Sequence, residues 1–151
     1  AMTDFVVMVD KLATMFVTGP EVVKTVLGEE VSSDELGGAM SHGKISGVSH
    51  FVAKNEYHCM DIVKSLLSYI PQNSTEEPPI VDTRDDPNRL DNNLINIVPE
   101  NPLQPYDMKE IIHSIVDNHQ FFEIHELFAS NVIVGFGRFH GRTVGIIANK
   151  P

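Results

Sequence analysis

The sequence predicts an α/β protein in which short strands alternate with helices. Two apolar stretches, Val132–Phe139 and residues 143–148, flank a His140-Gly141 turn and predict a β-hairpin. Between residues 56 and 70, apolar side chains recur at helical spacing, which predicts an amphipathic helix. A parallel neighbour needs a connection of about a dozen residues or more, and none follows the second strand of the hairpin. We therefore expect the hairpin to belong to a larger α/β sheet.

The chain is acidic, with 21 Asp and Glu against 11 Lys and Arg in 151 residues and a formal charge of −10. This balance argues against a nucleic-acid surface, where clustered basic residues are expected. A few local bases and helix N-termini can still hold an anionic ligand. Cys59 is the only cysteine, which excludes an internal disulfide and fits a reducing compartment. No apolar run approaches the roughly 18 residues of a membrane span, so we expect no direct membrane insertion.

Short apolar runs predict three strands before residue 71 and one strand late in the chain. These runs cover residues 5–10, 14–17, 48–53 and 121–124.

Helix-end signals predict three further helices. The first has Thr18 as its N-cap and ends at Gly28. The second begins with the capping-box pair Ser32 and Glu35. The third begins at Asp107 and extends to about Val116.

Proline usage divides the chain. Seven of the nine prolines lie between Pro71 and Pro105, in an acidic stretch without sustained apolar periodicity. A connection of this length usually joins separate units, so we predict a linker over residues 72–105. Five apolar side chains in it predict local docking and therefore an ordered linker: Leu90, Leu94, Ile95, Ile97 and Val98.

Three blocks of sequence resemble one enzyme family. The first contains TDF, F-x-TGP-x-VVK, ELGGA and SGV-x-H, the second is YDMKEIIHSIVDNHQFFE, and the third is GR-x-x-GR-x-VGI-x-AN-x-P. In this order they resemble the carboxyltransferase subunits of biotin-dependent acyl-CoA carboxylases. Within this family they resemble the propionyl-CoA carboxylase β, methylmalonyl-CoA decarboxylase α and methylmalonyl-CoA transcarboxylase large subunits.

The resemblance implies a crotonase/ClpP-like fold of stacked ββα units, and a chain that is an internal piece of a longer subunit. Residues 1–71 would end the N-terminal carboxyltransferase domain, 72–105 would be the linker, and 106–151 would begin the C-terminal domain. In such enzymes the active site lies between the N-terminal domain of one subunit and the C-terminal domain of another, which implies a homo-oligomer. We also expect self-association because the apolar hairpin strands would otherwise be partly uncovered. The alternative is a monomer whose linker folds over the hairpin.

The resemblance also implies the reaction. The enzyme would move a carboxyl group between N1 of biotin and the α-carbon of a short acyl-CoA, such as propionyl-CoA. Biotin would be carried on a partner domain, the coenzyme A thioester would be the substrate, and a biotin carboxylase or biotin carrier subunit would be the partner. The compartment would be the cytoplasm, or the mitochondrial matrix in a eukaryote.

The resemblance assigns site residues to two regions. Family members stabilise carbonyl and enolate oxygens with backbone amides of glycine-rich blocks. These blocks are expected outside this chain, so the catalytic residues stay unknown. We therefore expect the isolated chain to be inactive. Residues that would line the biotin or acyl-CoA site are Gly37, Gly38, His42, Ser46, Gly47 and His50. The acyl-CoA-binding region would include Asp117, Phe121, Arg138, Arg142 and Asn149.

Each assignment has a structural alternative. Gly37 and Gly38 can simply end a helix, His42 and His50 can form structural hydrogen bonds, and the two arginines can pair with surface carboxylates. A metal site is disfavoured because His125-Glu126 lacks the second histidine of H-E-x-x-H.

Two other functions stay open. The same family fold serves the decarboxylase direction, which removes the carboxyl group of methylmalonyl-CoA. The isolated chain could also be a non-catalytic structural or assembly piece.

Overall fold

A computed structural model describes residues 3–101 and 103–151. The chain forms two compact units. Unit 1 contains the described residues up to Lys64 together with His125–Ala129, and unit 2 contains Ser65–Ile124 and Ser130–Pro151. This division follows contacts within the chain, so the predicted domain boundaries at residues 71 and 106 stay predictions. No helix in the described ranges is both long and apolar enough to cross a membrane.

Unit 1 contains a short parallel sheet. Strand β1, Val7–Val9, pairs with strand β2, Phe51–Ala53. These strands lie inside the predicted runs 5–10 and 48–53. Met8 and Ala53 are buried in this sheet, as expected for strands of a parallel sheet.

The predicted strand at residues 14–17 is wrong. In the described residues, only Thr14 forms a bridge there, and its partner is Gly38. Gly38 lies at a helix boundary, so the opposite segment cannot continue a ladder of hydrogen bonds. The side chain of Val17 is fully exposed.

Four helical segments lie between β1 and β2. Helix α1 is Pro20–Leu27 and its N-cap is Gly19, not Thr18 as predicted. Helix α2 is Ser33–Gly37, and its predicted capping box at Ser32 is confirmed. Helix α3, Ala39–Ser41, leads into a π-helix, His42–Ser46. These last two segments were not predicted because they are too short to show apolar periodicity.

The predicted helix at residues 56–70 is present but shorter. Helix α4 is Glu56–Leu67, and it begins in unit 1 and ends in unit 2. Beyond Leu67 the chain tightens into a turn, in which the amide of Tyr69 bonds the carbonyl of Leu66.

Unit 2 is built on a three-stranded antiparallel sheet. Strands β3 (Phe122–Ile124), β4 (Val132–Phe139) and β5 (Arg142–Asn149) lie in the order β3-β4-β5. The predicted hairpin is thereby confirmed. Helix α6, Met108–Ile115, is also confirmed, and the Asp107 side chain caps it by accepting a bond from the amide of Lys109. The core of this unit joins α6 to β4 through Ile112, Val116 and Ile133.

The proline-rich segment docks on the rest of unit 2 through polar groups. The Arg89 guanidinium donates to the carbonyl oxygens of Ser114 and Val116, at 2.6 and 2.7 Å. Two of the apolar residues expected to dock are largely exposed, Leu90 at 90% and Ile95 at 81%. Leu94 and Ile97 lie in the short helix α5, Leu94–Ile97, and are half-buried. The segment is therefore ordered, as expected, but partly buried hydrogen bonds from Arg89 replace most of the expected apolar contacts.

Candidate functional site

The junction between α2 and α3 in unit 1 consists of Gly37 and Gly38. Both are buried, and Gly38 caps the C-terminus of α2 and the N-terminus of α3. A side chain on Gly37 would collide with the carbonyl oxygen of Met15, and one on Gly38 would collide with Asp34. The absence of a Cβ thus allows two backbone segments to approach closely. This explains both glycines structurally, and a ligand contact stays a proposal.

The capping box holds the start of α2. The Ser32 hydroxyl lies 2.6 Å from a carboxylate oxygen of Glu35, and the amide of Ser32 donates to the same oxygen at 3.0 Å. The hydrogen bond from the Ser32 side chain, followed by that from its backbone, lowers the pKa of Glu35. The charged form of Glu35 therefore fixes the start of the helix that ends at Gly37.

His42 and Ser46 are brought together by the π-helix. Nδ1 of His42 lies 2.7 Å from the Ser46 hydroxyl, and Nε2 lies 2.5 Å from the carbonyl oxygen of Met15. π-Helical turns are rare and often occur at functional sites. The π-helix ends at Gly47, which has a φ of 69° and faces the ring of Phe128. A residue with a side chain would be strained there and would meet that ring.

His50 lies at the end of the SGV-x-H motif, next to a second histidine. Its Nδ1 accepts a hydrogen bond from the amide of Val6 at 3.1 Å, and its ring centroid is 4.3 Å from that of His125. Burial lowers the pKa of His50, and electrostatic repulsion between the His50 and His125 rings lowers it further. The neutral ring accepts at Nδ1 and consequently carries its proton on Nε2, which can donate to an acceptor oxygen.

Sequence reasoning missed two residues in this part of unit 1. Ser49 is almost fully buried and donates to the carbonyl oxygen of Phe51 at 2.8 Å. His125 has a φ of 59° and a buried Nδ1 without a hydrogen-bond partner in the described residues. The sequence signal for His125 was its place in an incomplete H-E-x-x-H motif, which gave no reason to expect a neighbouring histidine ring. No cluster of three or more metal-ligating side chains occurs in the described residues.

In unit 2, Asp117 is a buried carboxylate that binds the hairpin turn. It accepts hydrogen bonds from the backbone amides of His140 and Gly141, at 3.0 and 2.7 Å, and from the Thr83 hydroxyl at 3.0 Å. These contacts use both of its oxygens. Phe121 packs against the core, and its ring occupies the space beside Gly135. The described contacts of Asp117 and Phe121 thus give each of them a structural role.

Arg138 and Arg142 have different environments. Arg138 is 8% exposed, and its Nη2 donates to the carbonyl oxygen and hydroxyl of Ser68 at 2.8 and 3.0 Å. Its guanidinium carbon lies 4.0 Å from the centre of the Tyr69 ring, in cation–π geometry. Its described partners are Ser68 and Tyr69, not the surface carboxylate of the expected alternative. Arg142 begins β5 and is exposed.

The five predicted residues of unit 2 do not form one cluster. Arg142 and Asn149 are the first and last residues of β5. Seven steps along a strand separate them by about 23 Å, at roughly 3.3 Å per residue. Both are exposed, so a ligand that contacts them both would have to be extended along the strand.

The comparisons with known proteins agree with the sequence motifs. The carboxyl transferase domain matches residues 1–151, the whole chain. This chain belongs to the carboxyl transferase domain family. It is 49% identical to the methylmalonyl-CoA decarboxylase subunit alpha of Veillonella parvula and 50% identical to the propionyl-CoA carboxylase carboxyltransferase subunit of Haloferax mediterranei, over 100% of its own length. It spans only 30% and 29% of those two relatives.

A solved structure shows the same fold. Over 99% of this carboxyl transferase chain, the structure matches transcarboxylase 12S, a hexamer assembly with methylmalonyl-coenzyme A and methylmalonic acid bound. The TM-score is 0.94 and the sequence identity is 45%, and the match covers 28% of the transcarboxylase chain. The predicted crotonase-like α/β fold is therefore confirmed.

Proposed function

We propose that this chain is part of an enzyme that transfers a carboxyl group between N1 of biotin and the α-carbon of a short acyl-CoA, propionyl-CoA or methylmalonyl-CoA. One observation carries the proposal: 99% of the chain matches a transcarboxylase structure at 45% identity and a TM-score of 0.94. The motifs ELGGA and SGV-x-H of this sequence add to that support. The chain spans about 30% of its curated relatives, so the complete reaction needs residues outside it.

In unit 1, the proposed oxygen-binding groups lie at the start of α3. Gly38 has an extended conformation, so the amides of Ala39, Met40 and Ser41 form a first helical turn. Amides in a first turn have no intrahelical acceptor. Donors fixed in this way stabilise negative charge that develops on an oxygen during acyl transfer. We assign the amides of Met40 and Ser41, next to Gly37-Gly38, to an oxygen of biotin or of the thioester, since Ala39 is fully buried.

The donor set of unit 1 fits biotin. Biotin, when bound, supplies a ureido nitrogen that carries the carboxyl group and a ureido oxygen that accepts hydrogen bonds. The first-turn amides of α3 and the Nε2 proton of His50 are donors of the kind that this oxygen needs. The roles of this chain in the reaction are therefore orientation and hydrogen-bond donation.

In unit 2, the exposed residues Arg142 and Asn149 are proposed to contact the acyl-CoA. Arg142 has the planar guanidinium that suits phosphate, and its exposure leaves it accessible. Asp117, Phe121 and Arg138 are engaged with other residues of the unit. We propose that these three residues shape the surface on which the acyl-CoA lies.

The direction of the reaction has two candidates. Relatives called a methylmalonyl-CoA decarboxylase subunit and a propionyl-CoA carboxylase subunit match this chain at 49% and 50% identity, so the likeness favours neither. A biotin carboxylase or biotin carrier partner would imply carboxylation, whereas a membrane sodium-pump partner would imply decarboxylation. In both cases we propose a homo-oligomeric enzyme in a reducing compartment, the cytoplasm or a mitochondrial matrix.

A segment exchange tests the proposal. Residues 1–151 replace the matching 28% of the transcarboxylase chain, and the product is called the graft. Its biotin-dependent formation of propionyl-CoA from methylmalonyl-CoA is compared with that of the unaltered transcarboxylase. We expect a rate within about tenfold of the parent, a loss typical of imperfect packing around a correct site. The matched control is the same reaction without biotin. A folded, hexameric graft with no biotin-dependent rate would contradict the proposal.

The 151-residue chain by itself is expected to lack this activity, and it therefore serves as a second control. Mixing the isolated chain with biotin and methylmalonyl-CoA should give only the background rate. If the isolated chain turned over at the rate of the graft, the proposal that other parts of the protein complete the site would be wrong.

A further inference from the structure

We infer that His42 is a positioning residue: its Nε2 proton holds Met15 against Gly37, and the Ser46 hydroxyl bonds the other ring nitrogen and orients the ring. The inference rests on the proposed function because the segment that it fixes begins α3. The reasoning follows one chain of hydrogen bonds through unit 1.

The two contacts of His42 determine where its proton lies. Nε2 is 2.5 Å from the carbonyl oxygen of Met15, and a carbonyl can only accept, so Nε2 must carry the proton. In the neutral ring Nδ1 is then an acceptor, and the Ser46 hydroxyl, 2.7 Å away, donates to it. The amide of Val48 donates to the same hydroxyl at 3.3 Å, so the Ser46 oxygen is oriented from both sides.

Met15 connects this ring to the glycine pair. Its amide donates to the carbonyl oxygen of Gly37 at 2.8 Å, and its own carbonyl oxygen occupies the space where Gly37 lacks a side chain. The neighbouring Thr14 forms a bridge with Gly38. Because Gly38 is the N-cap of α3, any shift of Met15 moves the first-turn amides that the proposed function uses.

Two substitutions at His42 separate the two contacts. The side-chain amide of Gln extends about as far as Nε2 of the ring, whereas that of Asn extends only as far as Nδ1. His42→Gln can therefore keep the donor to Met15, and His42→Asn can keep only the partner of Ser46. If His42 only filled space, the two substitutions would change the activity to the same extent.

The kinetic test uses the graft and reports kcat and KM separately. Misplaced donors weaken transition-state stabilisation more than binding of the thioester, so kcat should fall and KM should change little. We expect His42→Asn to lower kcat at least about tenfold, with KM for methylmalonyl-CoA within about threefold, and His42→Gln to keep kcat within about threefold. The matched control is His58→Gln, because His58 also accepts a backbone bond in unit 1, from Lys54, and it should leave kcat unchanged.

A spectroscopic test uses the 151-residue chain itself. The nitrogen shifts of the His42 ring should show the proton on Nε2 in the unchanged chain, because Met15 offers only an acceptor, and Ser46→Thr should show the same tautomer. A proton on Nδ1 in the unchanged chain would overturn the inference.

The kinetic outcomes are distinguishable. An active graft whose kcat is indifferent to His42→Asn overturns this inference and leaves the proposed function standing. Equal losses in the Asn and Gln variants also overturn it, because they indicate ordinary structural support. A folded graft without any biotin-dependent rate overturns the proposed function, and the inference with it.

Discussion

The carboxylate of Asp117 accepts a 2.7 Å hydrogen bond from the backbone amide of Gly141, at the tip of the β4-β5 hairpin. The carbonyl oxygen of Gly141 in turn accepts a bond from the amide of Val81. Asp117 also binds the Thr83 hydroxyl. A single buried acid thus joins the hairpin turn to the proline-rich segment within unit 2.

Replacing Asp117 should destabilise unit 2. Asp117→Ala leaves two turn amides and one hydroxyl without their acceptor, and we expect a loss of about 2–4 kcal/mol in the free energy of unfolding. Urea unfolding of the chain measures this loss, and exchange of the Gly141 amide reports it locally. Asp82→Ala is the control, since the Asp82 side chain is 84% exposed. An unchanged urea midpoint in Asp117→Ala would show that the carboxylate does not hold the turn.

The two arginines of the hairpin should separate stability from substrate binding. Arg138→Met removes the bonds to Ser68 and the contact with Tyr69, which should cost about 1–3 kcal/mol. It should change the KM of the graft for methylmalonyl-CoA less than Arg142→Met does, because Arg138 supports the acyl-CoA surface without contacting the thioester. Arg142→Met should have little effect on stability and should raise that KM several-fold, by roughly the strength of one charge-assisted contact. The reverse pattern would assign substrate binding to the buried arginine.

Lowering the pH should destabilise unit 1 through His50. Its pKa lies below 6.5 in the folded chain because burial, and then electrostatic repulsion from the neighbouring His125 ring, disfavour its protonated form. Below pH 6.5 the unfolded chain therefore binds a proton at His50 that the folded chain does not bind. The contribution of His50 to the free energy of unfolding is fully present above pH 6.5 and is lost as the pH falls through the folded pKa.

The matched variant is His50→Asn, which keeps an acceptor near the position of Nδ1 for the amide of Val6. Between about pH 7.5 and about pH 5, the free energy of unfolding should fall less in this variant than in the unchanged chain. His58→Asn should retain the full drop. An equal drop in all three proteins would remove His50 as its source.

The outer strand of the hairpin should promote association of the isolated chain. In the described residues β5 pairs only with β4, and its Ile147 is 79% exposed. Open strand edges recruit other chains, and a lysine on the edge opposes this. Light scattering should show concentration-dependent growth in mass that Ile147→Lys reduces. Ile95→Lys replaces an equally exposed residue, at 81%, outside any strand, and should not reduce it. If the unchanged chain and both variants scattered equally, the association would not depend on Ile147.

Short sequence patterns were sufficient to predict those elements that depend on residues close together in the sequence. The capping box at Ser32, the cap at Asp107 and the hairpin around Gly141 each depend on residues within a few positions. The motifs also led to the correct family, which matches all of residues 1–151.

The remaining features depend on distant contacts. Arg138 is buried because Ser68 lies beside it, 70 positions away in sequence, and no local pattern distinguishes it from a surface arginine. The bond between His42 and Met15 spans 27 positions. The strand predicted at residues 14–17 failed because its only partner in the described residues is a glycine at a helix boundary.

The most direct measurement of the central claim follows the carboxyl group itself. The graft is incubated with methylmalonyl-CoA labelled in its free carboxyl group and with biotin, and the label on biotin is measured as an initial rate. We expect the label to appear on biotin at a rate within about tenfold of unaltered transcarboxylase. A folded graft that leaves all of the label on the thioester, or releases it without passing it to biotin, would contradict the assignment of this chain to carboxyl transfer.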